Sequence, residues 1–397
     1  MKTLLDPKVL AALILRPMLL QKTTVWVLIG VLFWNLAACR NNQPAIDSES
    51  EATNTEETIE EQLILENATL NQVDSEGNTL WKLQVERVVY RQDNQNAELA
   101  RVTGEFYEQG EVFLKIQAKQ GKIIDDGKRI NLEGEIIASD PRNGATFNTE
   151  KVAWSPEERL LTIPKPLRGQ HPRFNVTADE GKYYTDREEL VLIGNVDGIS
   201  DDPPLQVQGE TMSWLIPQDI IKSEQSFQVD RYEPETETIR DRVTANAGEV
   251  KLEAKLVLLE DNVEFKSSDP PLQAASNVIT WDVDKKVIRS TEPIQVIQTE
   301  EEITLTGNEG QINLDTEIAE FQGGVKGVSQ SNQATLFANR LRWNLPSQEM
   351  EAQGNVIYEQ TNPSLTTTGE KARGILQEES IVVTGSQEER VTTEIVP

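Results

Sequence analysis

The 397-residue chain holds a single cysteine, Cys39, and a single histidine, His171. One cysteine excludes intramolecular disulfides and thiolate metal clusters. His171 stands in the proline-marked stretch PKPLRGQHPRF with no second imidazole to converge on a metal, and reads as a solvated loop residue. Basic residues are scarce as well: 38 Lys and Arg face 66 Asp and Glu, a formal charge of −28. Setting aside Lys2, Lys8, Arg16, Lys22 and Asp6 of the leader, the remainder carries −31. Such a polyanion repels phosphate backbones, so nucleic acid is excluded as a partner. Met and Phe are few, leaving Val, Ile and Leu to build a thin core. No Ser–His–Asp set with a nucleophile elbow and no Cys–His pair is present. GGVKG at Gly323 to Gly327 opens no helix, and no carboxylate pair stands out. The chain is therefore read as no enzyme, with no cofactor and no metal site; spaced calcium loops are missing too.

There is no apolar run of full membrane-span length either. The stretch VWVLIGVLFWNLAAC ends at Cys39, and its apolar part of about 14 residues suits a signal-peptide core better than a span. Leu36-Ala37-Ala38-Cys39 resembles the lipobox of bacterial lipoproteins, in which small residues admit the chain to a peptidase and the thiol takes the lipid. Cys39 is the expected lipidation site, and an uncleaved N-terminal segment is the alternative anchor. Met18 offers a more compact leader than Met1. Residues 40–62, rich in Glu, Ser and Thr, read as a disordered tether spanning roughly 25–30 Å.

What is present from residue 63 onward is repetition. PPLQVQGETMSW (Pro203 to Trp214) returns as PPLQAASNVITW (Pro270 to Trp281). Trp154, Trp214, Trp281 and Trp343 each follow a glycine by 33 residues: Gly121, Gly181, Gly248 and Gly310. Thirteen residues after the first glycine comes a second, Gly134, Gly194 or Gly323, with Asp261 in the third unit. This reads as an all-β, elongated open β-jellyroll of about four repeated antiparallel units behind an N-terminal signal or anchor segment. The expected divisions are 1–39 signal peptide with lipobox, 40–62 tether, 63–115 divergent N-terminal unit, 116–363 four repeats, and 364–397 a partial copy.

The strand ending at each Trp carries a further signal. Position −7 is Phe147, Val207, Ala274 or Leu336, and position −2 is Val152, Met212, Ile279 or Leu341. Residues five apart face opposite sides of a straight strand, yet both are apolar, so a bulge between them must return both to the interior. Phe147, Val152, Trp154, Val207, Met212, Trp214, Ile279, Trp281, Leu336, Leu341 and Trp343 are then candidate linings of an apolar groove. With two strands per wall per unit, each unit adds roughly 10 Å. Filling of a closed solenoid core would require the same residues.

LENATLNQVDSEGNTLWKLQVERVVY resembles the start of the periplasmic lipopolysaccharide-transport family LptC, through Glu76-Gly77, Trp81 with Leu83, and Tyr90. IQAKQGKIIDDGKRINLEGEI and VTADEGKYYTDREELVLIGNV resemble the OstA-type repeats of LptC and its relative LptA. The chain is about twice the length associated with LptC, and it shows a lipobox where that family retains a membrane helix. The resemblance implies a periplasmic protein anchored to the inner membrane. It would take lipopolysaccharide acyl chains into the groove from inner-membrane ABC transporter permease subunits and pass the glycolipid toward the outer membrane. The edge near Gly77 and Trp81 would face the transporter. The C-terminal edge strand would pair with an LptA-like bridge or the outer-membrane translocon. A structural or adhesive cell-envelope β-solenoid with a closed core is the competing reading.

Overall fold

The computed structural model describes residues 63–395, apart from 92–94, 109, 332, 363, 376–379 and 386–389. The chain divides into two units, Met1–Thr58 and Ile59–Pro397. The leader, Cys39 and the tether lie outside the described residues. Among the described residues no helix is long and apolar enough to cross a membrane.

The fold follows from a simple rule of alternation. Val-, Ile- and Leu-rich segments such as LVLIGNVDGIS and LVLLEDNVEFKSS bury every second side chain and leave polar ones outside. Strands of 10 to 14 residues, for example Thr146–Ser155 and Glu111–Ile124, run the full width of a folded sheet. Others are broken at mid-width into two short strands. Leu160–Ile163 and Leu167–His171 flank Pro164 and Pro166, which cannot continue a ladder. Each crossing pairs antiparallel with the next, so the sheet is a sequential meander folded lengthwise into two facing walls. This is the all-β jellyroll that the repeat anticipates.

The fold line is the anticipated bend. Ile193 pairs with Thr211 and Val196 with Gly209, so Gly194 and Asn195 stand against Glu210 alone. Gly134-Glu135 against Glu150, Asp261-Asn262 against Asn277, and Gly323-Gly324 against Asn339 repeat the arrangement. Both residues of each pair are left-handed, as at Gly194 (φ +77°) and Asp261 (φ +62°), which explains the second glycine of the repeat and its replacement by Asp. The extra residue therefore lies on the glycine strand. The Trp strand takes up the parity change: Leu205 and Val207 face inward on one wall, Met212 and Trp214 on the other.

One expectation is corrected. Because every crossing, whether one long strand or two short ones in series, spans both walls, each wall receives four strands per repeat. The route from the Trp154 strand to the Trp214 strand passes through Leu160–Ile163, Glu180–Tyr184 and Glu189–Asp201. Four steps of about 4.8 Å give roughly 19 Å per unit, near twice the expected rise. The first glycine of the repeat marks a close approach. A Cβ at Gly121 would stand 2.7 Å from Leu132 Cδ2, with Leu99 and Val102 at 3.3 Å.

Candidate functional site

The space between the walls is the one feature that every repeat contributes to. All eleven proposed lining residues face it, and none is more than 4% exposed. They belong to a single apolar cluster that runs from Trp81 to Ala372 among the described residues. Trp154 packs against Phe106 and Phe113, Trp214 against Phe174, and Trp281 against Phe265, with ring centroids 5.4–5.6 Å apart. The interior is thus filled by its own side chains in this state. It can accept a guest only if the walls part.

Along the fold line the walls are joined by continuous backbone in each unbroken strand. Along the opposite side they meet as two rows of turns, with no backbone pairing across among the described residues. Two residues beyond each Trp of the later units, Ile216, Val283 and Leu345 turn inward and cover the core. Polar groups then bridge the rims. Arg173 reaches Asp219 at 3.2 Å, Lys255 reaches Asp202 at 2.8 Å, and Gln348 Nε2 donates to Gln298 Oε1 at 3.2 Å. In the first unit Tyr183 donates to Asp140 (2.6 Å), Asn143 to Glu188 (2.6 Å), and Arg159 meets Glu108 (3.3 Å). Burial, and then the Asp140 charge, push the Tyr183 phenol above its ordinary range, so it remains a donor. Asp202 is largely exposed and Lys255 partly so, and such pairs contribute about 0–1 kcal/mol each. This seam is weaker than the backbone fold line opposite it.

The sequence reading missed the seam, because its partners lie 43 to 53 residues apart and belong to different turns. The apolar residue at Trp +2 was a signal that could have marked the rim. His171 also differs from expectation: it ends a strand, is half-buried, and its ring stands edge-on to Trp214 at 5.1 Å. Burial holds its imidazole below the ordinary range, against the pull of Asp219. Among the described residues no group of three or more His, Cys, Asp or Glu could hold a metal.

The two ends of the sheet also have definite geometry. At one end the outermost strand is Leu63–Val73, whose only described partner is Thr79–Tyr90. Leu63 and Leu65 are exposed there, although Leu65 is in register with buried Val88. Gly77 lies in the turn joining these strands (φ +89°). Trp81 is one strand in from the edge, buried, and donates to Gln72 Oε1 at 2.5 Å. At the other end Ser380–Thr384 and Thr392–Ile395 pair only with Leu365–Ile375 among the described residues.

The profile of one protein family, LptC, described as lipopolysaccharide-assembly, LptC-related, matches residues 23–202 and 228–330. No curated protein matches the chain.

Proposed function

The chain belongs to the LptC family, and from that premise we propose that lipopolysaccharide acyl chains enter between its walls through the seam, while the sugars stay in solvent. One observation supports this most directly. A continuous apolar interior is closed by backbone on one side and only by side chains on the other, an apolar cap and polar pairs that range from buried to exposed. The net charge of −28 is compatible with an anionic glycolipid if contact is made through the acyl chains. The family is one of lipopolysaccharide assembly. The finer assignments belong to this proposal: acyl lining by the eleven interior residues, receipt from inner-membrane ABC transporter permeases at the Gly77–Trp81 end, and anchoring through Cys39 or an uncleaved leader. The C-terminal edge, which has no further partner among the described residues, suits strand addition by an LptA-like bridge or the outer-membrane translocon.

The filled interior also fits a closed solenoid of structural or adhesive role, and the seam separates the two readings. The test places Asp202→Cys and Lys255→Cys in the full chain, with a photo-crosslinker at Met212. Lipopolysaccharide is captured by the unstapled protein, and capture falls at least about tenfold when a short bismaleimide joins the rims. Equal capture with and without the staple rejects entry at the seam. Capture in neither form supports the closed solenoid.

A further inference from the structure

Four indoles of the repeat, those of Trp154, Trp214, Trp281 and Trp343, hold their Nε1–H groups inside the core with no acceptor in reach. Buried donors are nearly always paired, because an unpaired one has lost its water and gained nothing. A single orphan can be an accident of packing; here the same donor is orphaned at the same position of four successive units. The remaining described tryptophan, Trp81, is the contrast, since its N–H is taken up by Gln72. Phenylalanine would fill much of each site without that penalty. The surroundings do vary from unit to unit, with Phe147, Val207, Ala274 and Leu336 at the −7 position, yet the indole stays. Edge-on rings lie beside Trp154, Trp214 and Trp281, but none beside Trp343 among the described residues.

The chemistry of a matching acceptor is narrow. It must enter an apolar space, and no Lys or Arg is buried among the described residues, so an anionic oxygen would arrive there without a countercharge. A neutral carbonyl is suited to a neutral N–H donor. Acyl chains bring such a group with them, at the ester or amide that joins chain to sugar. We propose that the four indoles are docking points for the acyl carbonyls of the cargo, unpaired in the closed state and paired in the loaded one. The proposal rests on entry of acyl chains between the walls. It makes the interior selective for acyl over alkyl chains of equal length, and places four equivalent stations at intervals of roughly 19 Å on one wall.

The test uses the full chain with ¹⁵N-labelled indoles and two probes: a diacylated glucosamine 1-phosphate and its dialkyl ether analogue, which lacks the carbonyls. The acyl probe shifts the indole proton resonances of Trp154, Trp214, Trp281 and Trp343 downfield and leaves that of Trp81 in place. It binds about fivefold more tightly than the ether, the factor that one net hydrogen bond carries. Replacing all four by Phe removes that preference; the resonances of the unmodified chain decide the matter even if the variant does not fold. Equal affinity for the two probes with equal indole shifts overturns the donor role while leaving acyl entry standing. Direct magnetisation transfer from water to these indoles in the empty protein also overturns it, since water then supplies the acceptor. Binding of neither probe removes acyl entry itself, and this inference with it.

Discussion

The unit closed by Trp343 and the C-terminal copy begin with the same register and end differently. In the former, Ala319 and Phe321 lie between the preceding strand and the Trp343 strand, and are 0% and 2% exposed. The corresponding residues of the last copy are Ile381 and Val383, paired to Gly374 and Ala372. No described strand follows them on the other side, and both are only half-buried. A cavity of about 10 Å³ opens beside them, lined by Met350, Tyr358, Ala372, Gly374 and Ile381 among others. Among the described residues the last copy has no counterpart of the Trp343 strand. The difference shows what seals the interior. Ala319 and Phe321 are buried where a strand carrying an indole follows them, and Ile381 and Val383 are half-buried where no described strand does.

That contrast can be broken most directly by truncating the indole. Trp343→Ala removes a fully buried side chain and is expected to destabilise by about 3–5 kcal/mol, transfer and cavity terms combined. Ile381→Ala, at the unsealed end, is expected to lose about 1 kcal/mol, because much of the side chain already meets water. Urea midpoints at constant slope measure both. Comparable losses at the two positions mean that the last copy is as well sealed as the others in solution.

A smaller effect separates the two regions at the repeated glycine. At Gly121 an added methyl meets Leu132, Leu99 and Val102 in a full interior, and Gly121→Ala should destabilise by about 1–2 kcal/mol through overpacking. The register places Ala372 of the last copy at the level of Gly310, so there the chain itself already carries the methyl. Ala372→Gly should lose no more than about 1 kcal/mol, mostly chain entropy. A neutral Gly121→Ala in thermal melts indicates that the Leu132 side chain moves aside without penalty.

Much of the fold was legible because it is local. The left-handed pair at each bend opens with Gly or Asp at a fixed interval, and the parity switch from Val207 to Met212 needs apolar residues five apart. Both signals are written within one or two strands. The eleven interior residues were legible for the same reason. The rise per unit was misjudged because sequence shows where strands turn but not whether they stop at the bend or cross it. The pairings Arg173–Asp219 and Lys255–Asp202 were not legible at all. Among 66 acidic residues no carboxylate announces its partner, and only the stacking of turns from different strands selects one.

The smallest expected effect sharpens the comparison between a fully buried and a half-buried ring. His171 leans on Trp214, and its imidazole is held below the ordinary range, chiefly by burial, with Asp219 opposing. The unfolded chain therefore takes up the proton first as pH falls. Stability from this group is intact above the unfolded imidazole value of about 6.5 and is lost as pH drops through the folded one. Because the ring is partly exposed, solvent screening keeps the change below about 1 kcal/mol. This is the only histidine in the chain, so the imidazole contribution can be isolated with a single substitution. Burial raises the Asp241 carboxyl, which gives the opposite sign: its folded state binds the proton more tightly, and stability falls as pH rises through that range. Subtracting the urea-derived stability of His171→Gln from that of the unmodified chain at each pH cancels Asp241. The remaining difference should decline from pH 7 to pH 5. A flat difference shows that the ring is as well solvated in the folded protein as in the unfolded one, and that the packing on Trp214 does not persist in solution.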